Sequence, residues 1–222
     1  IRDAQESRGL GDGYKRQGPI IVAGSTHGGE EEIVVMLFGK ILKKYPDARL
    51  LLAVRVITRA PSVRFIIKHQ GYTVLRRSKM GTDEDDGTSP QIVILDTIGE
   101  LGRLYSLADV VFVGGSFVKV GGHNILEPAA HGKPVVVGPN MFNFQEIFEL
   151  LSSRGVCLMA HNEAEFEKIM FDLLDHPETI KKMGEAALEV VSENQGATDR
   201  NIKAFAELIE SSGVKLGGRH ES

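Results

Sequence analysis

The chain has 222 residues, 42% hydrophobic and 25% charged, a length and balance that fit one globular core, with room for extensions. A formal net charge of -4 at pH 7, without any lysine or arginine run, leaves no electrostatic footprint for nucleic acid. A single cysteine, Cys157 in the stretch GVCLMA, excludes an internal disulfide and a cysteine-built zinc site, fits a reducing compartment, and reads as a small core residue. No apolar run approaches the roughly 20 residues that span a bilayer, and no signal peptide is visible. A peripheral membrane contact stays open.

Residues 1–18, a polar and glycine-containing lead that opens on Ile1, read as a linker remnant of something longer. From residue 19 short apolar runs alternate with amphipathic stretches. PIIVAG (19–24) predicts a buried strand, and EEEIVVMLFGKILKKYP (30–46) a helix, acidic at its start and basic at its end as the helix dipole favours. RLLLAVRV (49–56) is a second strand, SVRFIIKHQG (62–71) a helix closed by glycine, and YTVLRR (72–77) a third strand. SKMGTDEDDGTSPQ (78–91) is an acidic surface loop.

IVILD (92–96) is a fourth strand, IGELGRLYSLA (98–108) a short helix and DVVFVGG (109–115) a fifth strand. A helix through ILEPAAHG, a strand PVVVG, a helix around NFQEIFELLSSRG and a short strand VCLMA follow. Three helical stretches over about 163–211 and a flexible tail, 212–222, complete the chain. Strands of near-continuous Val, Ile and Leu separated by helices predict an α/β fold with a Rossmann-like, doubly wound parallel sheet covered on both faces. Ligands of such sheets bind beyond the carboxyl ends of the strands. Four loops of unusual chemistry should therefore converge on one crevice: GSTHGGEEE, VRVITRAP, DTIGEL and GGSFVKVGGHNILEP.

The last of these holds two glycine pairs. Gly114 and Gly115, just after a strand, would let the backbone approach an anion with its amides turned outward, a seat for phosphate. Gly121 and Gly122 free the entry to a helix that carries His123, Asn124 and Glu127. Asn124 would cap that helix or donate to phosphate, and Glu127 would accept both hydroxyls of a ribose, one on each oxygen. His123 reads either as a ligand or as loop packing. In GSTHGGEEE, Ser25, Thr26 and His27 either bind phosphate or an acidic sugar, or Ser25 or Thr26 simply caps the helix while the glutamates complement its dipole.

The motifs STHGGEEE, DTIGELGRLYSLADVVFVGGSF, GGHNILEPAAHGKPVVVGP and NFQEI, in this order, resemble the C-terminal half of the bacterial 3-deoxy-D-manno-octulosonic acid (Kdo) transferases over about residues 20–149. That resemblance implies one half of a GT-B glycosyltransferase, with 19–211 as the C-terminal donor-binding domain. It implies an inverting transfer from CMP-Kdo to a lipid A precursor at the cytoplasmic face of the inner membrane, with no cofactor or required metal. It further implies a cytosine seat at Ile98, Gly99, Glu100 and Leu101, phosphate near Gly114, Gly115, Ser116 and Asn124, and ribose at Glu127. The family's Pro-Arg-His after the second strand stands here as Val54-Arg55-Val56, leaving Arg55 as the nucleotide contact. The acceptor site and the general base belong to an N-terminal half, so this polypeptide is expected to be inactive alone. The rival readings are a GT-B transferase or epimerase with a UDP donor, and a non-enzymatic nucleotide-binding module.

Overall fold

The structure is a computed structural model that describes residues 18–83, 85, 87 and 89–211. The β-branched runs form seven strands: β1 (Ile20–Thr26), β2 (Arg49–Val54), β3 (Val74–Arg76), β4 (Ile92–Leu95), β5 (Val110–Val113), β6 (Val135–Val137) and β7 (Cys157–Met159). All neighbouring strands pair in parallel, in the order β3-β4-β2-β1-β5-β6-β7. This is the expected α/β architecture. Alternate residues of one strand feed two separate cores, Val110 and Phe112 into one and Val111 and Val113 into the other. That two-sided burial is why the strands show no polar alternation.

The helices are α1 (Glu30–Lys44), α2 (Ala60–His69), α3 (Leu101–Leu104), α4 (Leu126–Ala130), α5 (Gln145–Ser153), α6 (Glu163–Asp175) and α7 (Pro177–Ser211). One face of the sheet carries α1, α2 and α6 through Phe38, Ile67 and Phe166; the other carries α4 and α5 through Ala129 and Leu151. Each of the buried Phe, Ile and Leu side chains among these contributes about 1.5–3 kcal/mol of transfer free energy. Two helices, not three, cover 163–211, because α7 runs through Gly184 without a break. A Cβ at Gly184 would lie 2.4 Å from the carbonyl oxygen of Gly132, so the glycine lets α7 pass directly over the end of α4. Met183, Ala187 and Val190, at helical spacing along α7, are buried in the chain's own cores. The side chains of Phe205, Leu208 and Ile209 lie outside the described residues, as do the expected tail and all of the linker but Gly18. No helix among the described residues is long and apolar enough to cross a membrane.

The chain leaves β1 toward β2 on one side, and β5 returns to pair with β1 on the other, Ile21–Gly24 against Val110–Val113. The direction of winding therefore reverses between β1 and β5, and the carboxyl ends of strands at such a switch are where doubly wound sheets bind ligands.

Candidate functional site

The exits of β1 and β5 are pressed together. A Cβ at Gly114 would fall 2.6 Å from the Ser25 carbonyl oxygen and 2.7 Å from the Thr26 Cα, so only glycine lets the two backbones meet here. Ser25 itself sits at φ 56, in the left-handed region, where a non-glycine residue carries local strain. The helix that follows begins behind Gly29 with no side-chain cap, so neither Ser25 nor Thr26 caps it. Thr26 is fully buried, its hydroxyl 3.4 Å from both Glu31 Oε1 and the Ala53 carbonyl oxygen. It braces the loop from inside and offers nothing to a ligand.

The expectation that the Gly114-Gly115-Ser116 amides face an anionic ligand is overturned by a residue of the chain itself. Glu30, fully buried, places Oε2 2.7 Å from the Gly115 amide and 2.9 Å from the His27 amide, and Oε1 3.0 Å from the Ser116 amide and 2.9 Å from the Phe117 amide. The nest is real, and its anion is an internal carboxylate. Gly114 donates to the Gly24 carbonyl within the sheet edge. The Ser116 hydroxyl donates to the Val113 carbonyl at 2.6 Å and accepts from the Gly138 amide at 2.8 Å, with Ser116 fully buried. These three residues lock β5 to α1 and β6; they are not open to phosphate.

The exposed chemistry lies at the second glycine pair. Behind Gly122, His123 Nε2 lies 2.8 Å from His27 Nε2, with the two rings within 6° of parallel. One nitrogen must donate and the other accept, so the pair shares a single proton at this contact. Burial, then the neighbouring His27, then Arg55 hold the His123 imidazole below its ordinary value, against a smaller opposing effect of Glu30. Arg55 is exposed, and its amide donates to the Thr26 carbonyl at 2.9 Å, tying the exit of β2 to that of β1. Asn124 and Glu127 are both exposed. Asn124 accepts from the Leu126 amide at 3.0 Å and donates to Glu127 Oε1 at 3.2 Å, which orients the carboxylate from one side.

The DTIGEL loop stands beside Glu127: a Cβ at Gly102 would lie 3.9 Å from Glu127 Oε2. Ile98 is 88% exposed at the loop's tip, with nothing near Gly99, while Leu101 packs partly into the core. Glu100, half-buried, accepts from Thr97 and, at 2.8 Å, from Arg77; the Thr97 hydrogen bond, then Arg77, hold its carboxyl low. A partner absent from the sequence reading, Arg77 at the end of β3, thus pins the base of this loop. Two depressions of 470 and 300 Å³, sharing Phe142, Gln145 and Glu149, open at the start of α5 in the NFQEI stretch. Among the described residues no group of three or more His, Cys, Asp or Glu is placed to hold a metal ion.

The structure brings together His27, Arg55, His123 and, further along, Asn124, Glu127 and the 98–101 loop. It withdraws Thr26, Gly114, Gly115 and Ser116 into the frame. The family model "Glycosyl transferases group 1" matches residues 26–190. The chain belongs to the glycosyl transferases group 1 family. Within it, the 3-deoxy-D-manno-octulosonic acid transferase of Haemophilus influenzae is 38% identical over 198 residues, which cover 89% of this chain and 46% of that protein. The Aquifex aeolicus protein of the same name is 33% identical over 77% of this chain and 46% of its own length. This chain spans about half the length of these relatives. The C-terminal CMP-Kdo binding domain of WaaA from Acinetobacter baumannii superimposes with a TM-score of 0.75 at 28% identity, covering 84% of this chain and 96% of that one. The match takes in nearly the whole of that CMP-Kdo binding domain.

Proposed function

We propose that this chain is the donor-binding half of an inverting glycosyltransferase that takes CMP-Kdo and transfers Kdo to a lipid A precursor, in lipopolysaccharide synthesis at the cytoplasmic face of the inner membrane. The observation that carries the reading is the near-complete coverage of the CMP-Kdo binding domain from Acinetobacter baumannii. The site supports it chemically. The exposed backbone of Ile98 and Gly99 offers a seat for the base, Glu127 beside it suits a vicinal diol, and the Asn124, His123, His27 and Arg55 side chains continue from there as the seat for phosphate.

In such a transfer the acceptor oxygen forms the new bond to the anomeric carbon as the bond from that carbon to the phosphate oxygen breaks, and the departing nucleotide gains a negative charge. Arg55 and the proton held between His27 and His123 are placed to meet that charge. The acceptor hydroxyl must surrender a proton to a base on the facing half, so this chain binds the donor without turning it over. The test is calorimetric titration with CMP, with UMP as control. We expect CMP to bind, UMP to bind more weakly and Glu127→Ala to remove the binding. Preference for UMP would point to a UDP-sugar donor instead, and no binding of either by the folded chain would overturn the assignment.

A further inference from the structure

The donor site described above leaves one charged side chain at the switch of strand direction without a role. Arg59, at the entry to α2, places Nη1 2.8 Å from Glu31 Oε1. Glu31 is 1% exposed, whereas Arg59 keeps a third of its side chain open to solvent. The guanidinium lies over Gly28: a Cβ there would stand 3.2, 3.3 and 3.4 Å from Nη2, Cζ and Nη1. Three nearly equal distances mean a face-on approach, and a side chain at position 28 would press on the group. Gly28 is exposed and adjoins His27, so Arg59 is delivered to the rim of the same crevice.

The pair is a poor device for stability. Glu31 Oε2 is buried with no hydrogen-bond partner, and burial raises the carboxyl despite the opposing pull of Arg59. Buried ion pairs of this kind are weak stabilisers because the desolvation cost offsets the attraction. What the pair does achieve is aim: one arm of a five-donor fork is fixed, and the rest is presented in a defined plane.

Its position relative to the nucleoside seat decides what it is aimed at. The 98–101 loop and Glu127 belong to the face of α3 and α4, Arg59 to the opposite face of α1 and α2, and the His27–His123 contact lies between them. A nucleotide sugar with its base and ribose on the first face sets its phosphate at the histidine pair and its sugar beyond. We propose that Arg59, held by Glu31 over Gly28, receives the carboxylate of the transferred sugar acid and so selects an acidic sugar over a neutral one. This rests on the donor assignment of the preceding subsection. A guanidinium matches a carboxylate in two parallel hydrogen bonds, which a phosphate diester at the histidine pair does not require.

The experiment is calorimetric titration of the chain and two variants, Arg59→Gln and Glu31→Gln/Arg59→Gln, with CMP and with CMP-Kdo. The double variant leaves no orphaned buried charge, so it reports even where the single variant folds poorly. We expect both variants to keep CMP affinity within about twofold and to lose CMP-Kdo affinity by about tenfold to a hundredfold, the range for a charged hydrogen bond. An equal loss for both ligands would make Arg59 a phosphate contact and overturn the proposal. No loss for either, or failure of both variants to fold, would make the pair structural and overturn it while the donor assignment stands. If the unaltered chain binds neither ligand, the donor assignment falls, and the role of Arg59 with it.

Discussion

Two glycine-rich turns, residues 114–116 and 121–124, follow the same strand and have opposite fates. In the first, the amides are consumed by the Glu30 carboxylate and every residue is buried; in the second, Asn124 stands in solvent and His123 reaches across to His27. Both have the composition of a phosphate loop. What separates them is a carboxylate more than eighty positions earlier in the chain, which enters the first nest and converts it from a binding site into a joint. Glycine content therefore marks where backbones approach closely, and only the partner decides whether the approach is to a ligand or to the protein itself.

The sharpest way to break this contrast is to empty the joint. Glu30→Ala leaves the buried amides of Gly115 and Ser116 unsatisfied at about 1–3 kcal/mol each. We expect a loss of about 3 kcal/mol or more, seen as a fall in Tm of roughly 6–12 °C for a domain of this size, and an unchanged Tm would refute the structural role. Gly114→Ala follows: its methyl meets backbone at 2.6 and 2.7 Å, and we expect about 1–3 kcal/mol of destabilisation from overpacking in chemical denaturation. In the open turn the effects should reverse. Glu127→Ala should leave Tm within about 1 °C, its carboxylate being exposed, while abolishing detectable CMP binding in the same titration.

The smallest effect concerns pH. The His123 imidazole is held below its ordinary value of 6.5 in the folded chain, so the unfolded chain binds the proton first. Its contribution to stability is full above pH 6.5 and is lost as pH falls from there through the folded value. Melting curves at pH 7.5 and 5.5 should show a decrease that His123→Gln reduces. A variant with an equal decrease would show that the histidine contact is not its source.

Much of the fold was legible in the residues. The alternation of Val-rich runs and amphipathic stretches located the seven strands, and the rule that parallel sheets bind ligands beyond the carboxyl ends of their strands singled out the loops at those ends. Asn124, Glu127 and Ile98 are exposed, as surface loop positions should be. The failures share a cause. Glu30, Glu31 and Glu32 looked alike as helix-dipole partners, yet Glu30 fills a nest, Glu31 fixes Arg59, and the difference lies in which way each points around the first turn of α1. The pairing of His27 with His123, 96 positions apart, and of Arg77 with Glu100 had no local signal. The three expected helices became two because one helix runs unbroken over Pro177–Ser211, with Gly184 inside it as a packing contact.

Local rules act over a few residues, so the order of strands and helices, the two-sided burial of the sheet and the glycine positions were set by the sequence alone, through side-chain branching, periodicity and backbone freedom. Which carboxylate meets which amide, and which histidine meets which, was decided only in three dimensions. Hydrogen bonds and ion pairs reach no further than a few ångströms, and it is the parallel crossovers of the sheet that bring residues from distant parts of the chain within that reach.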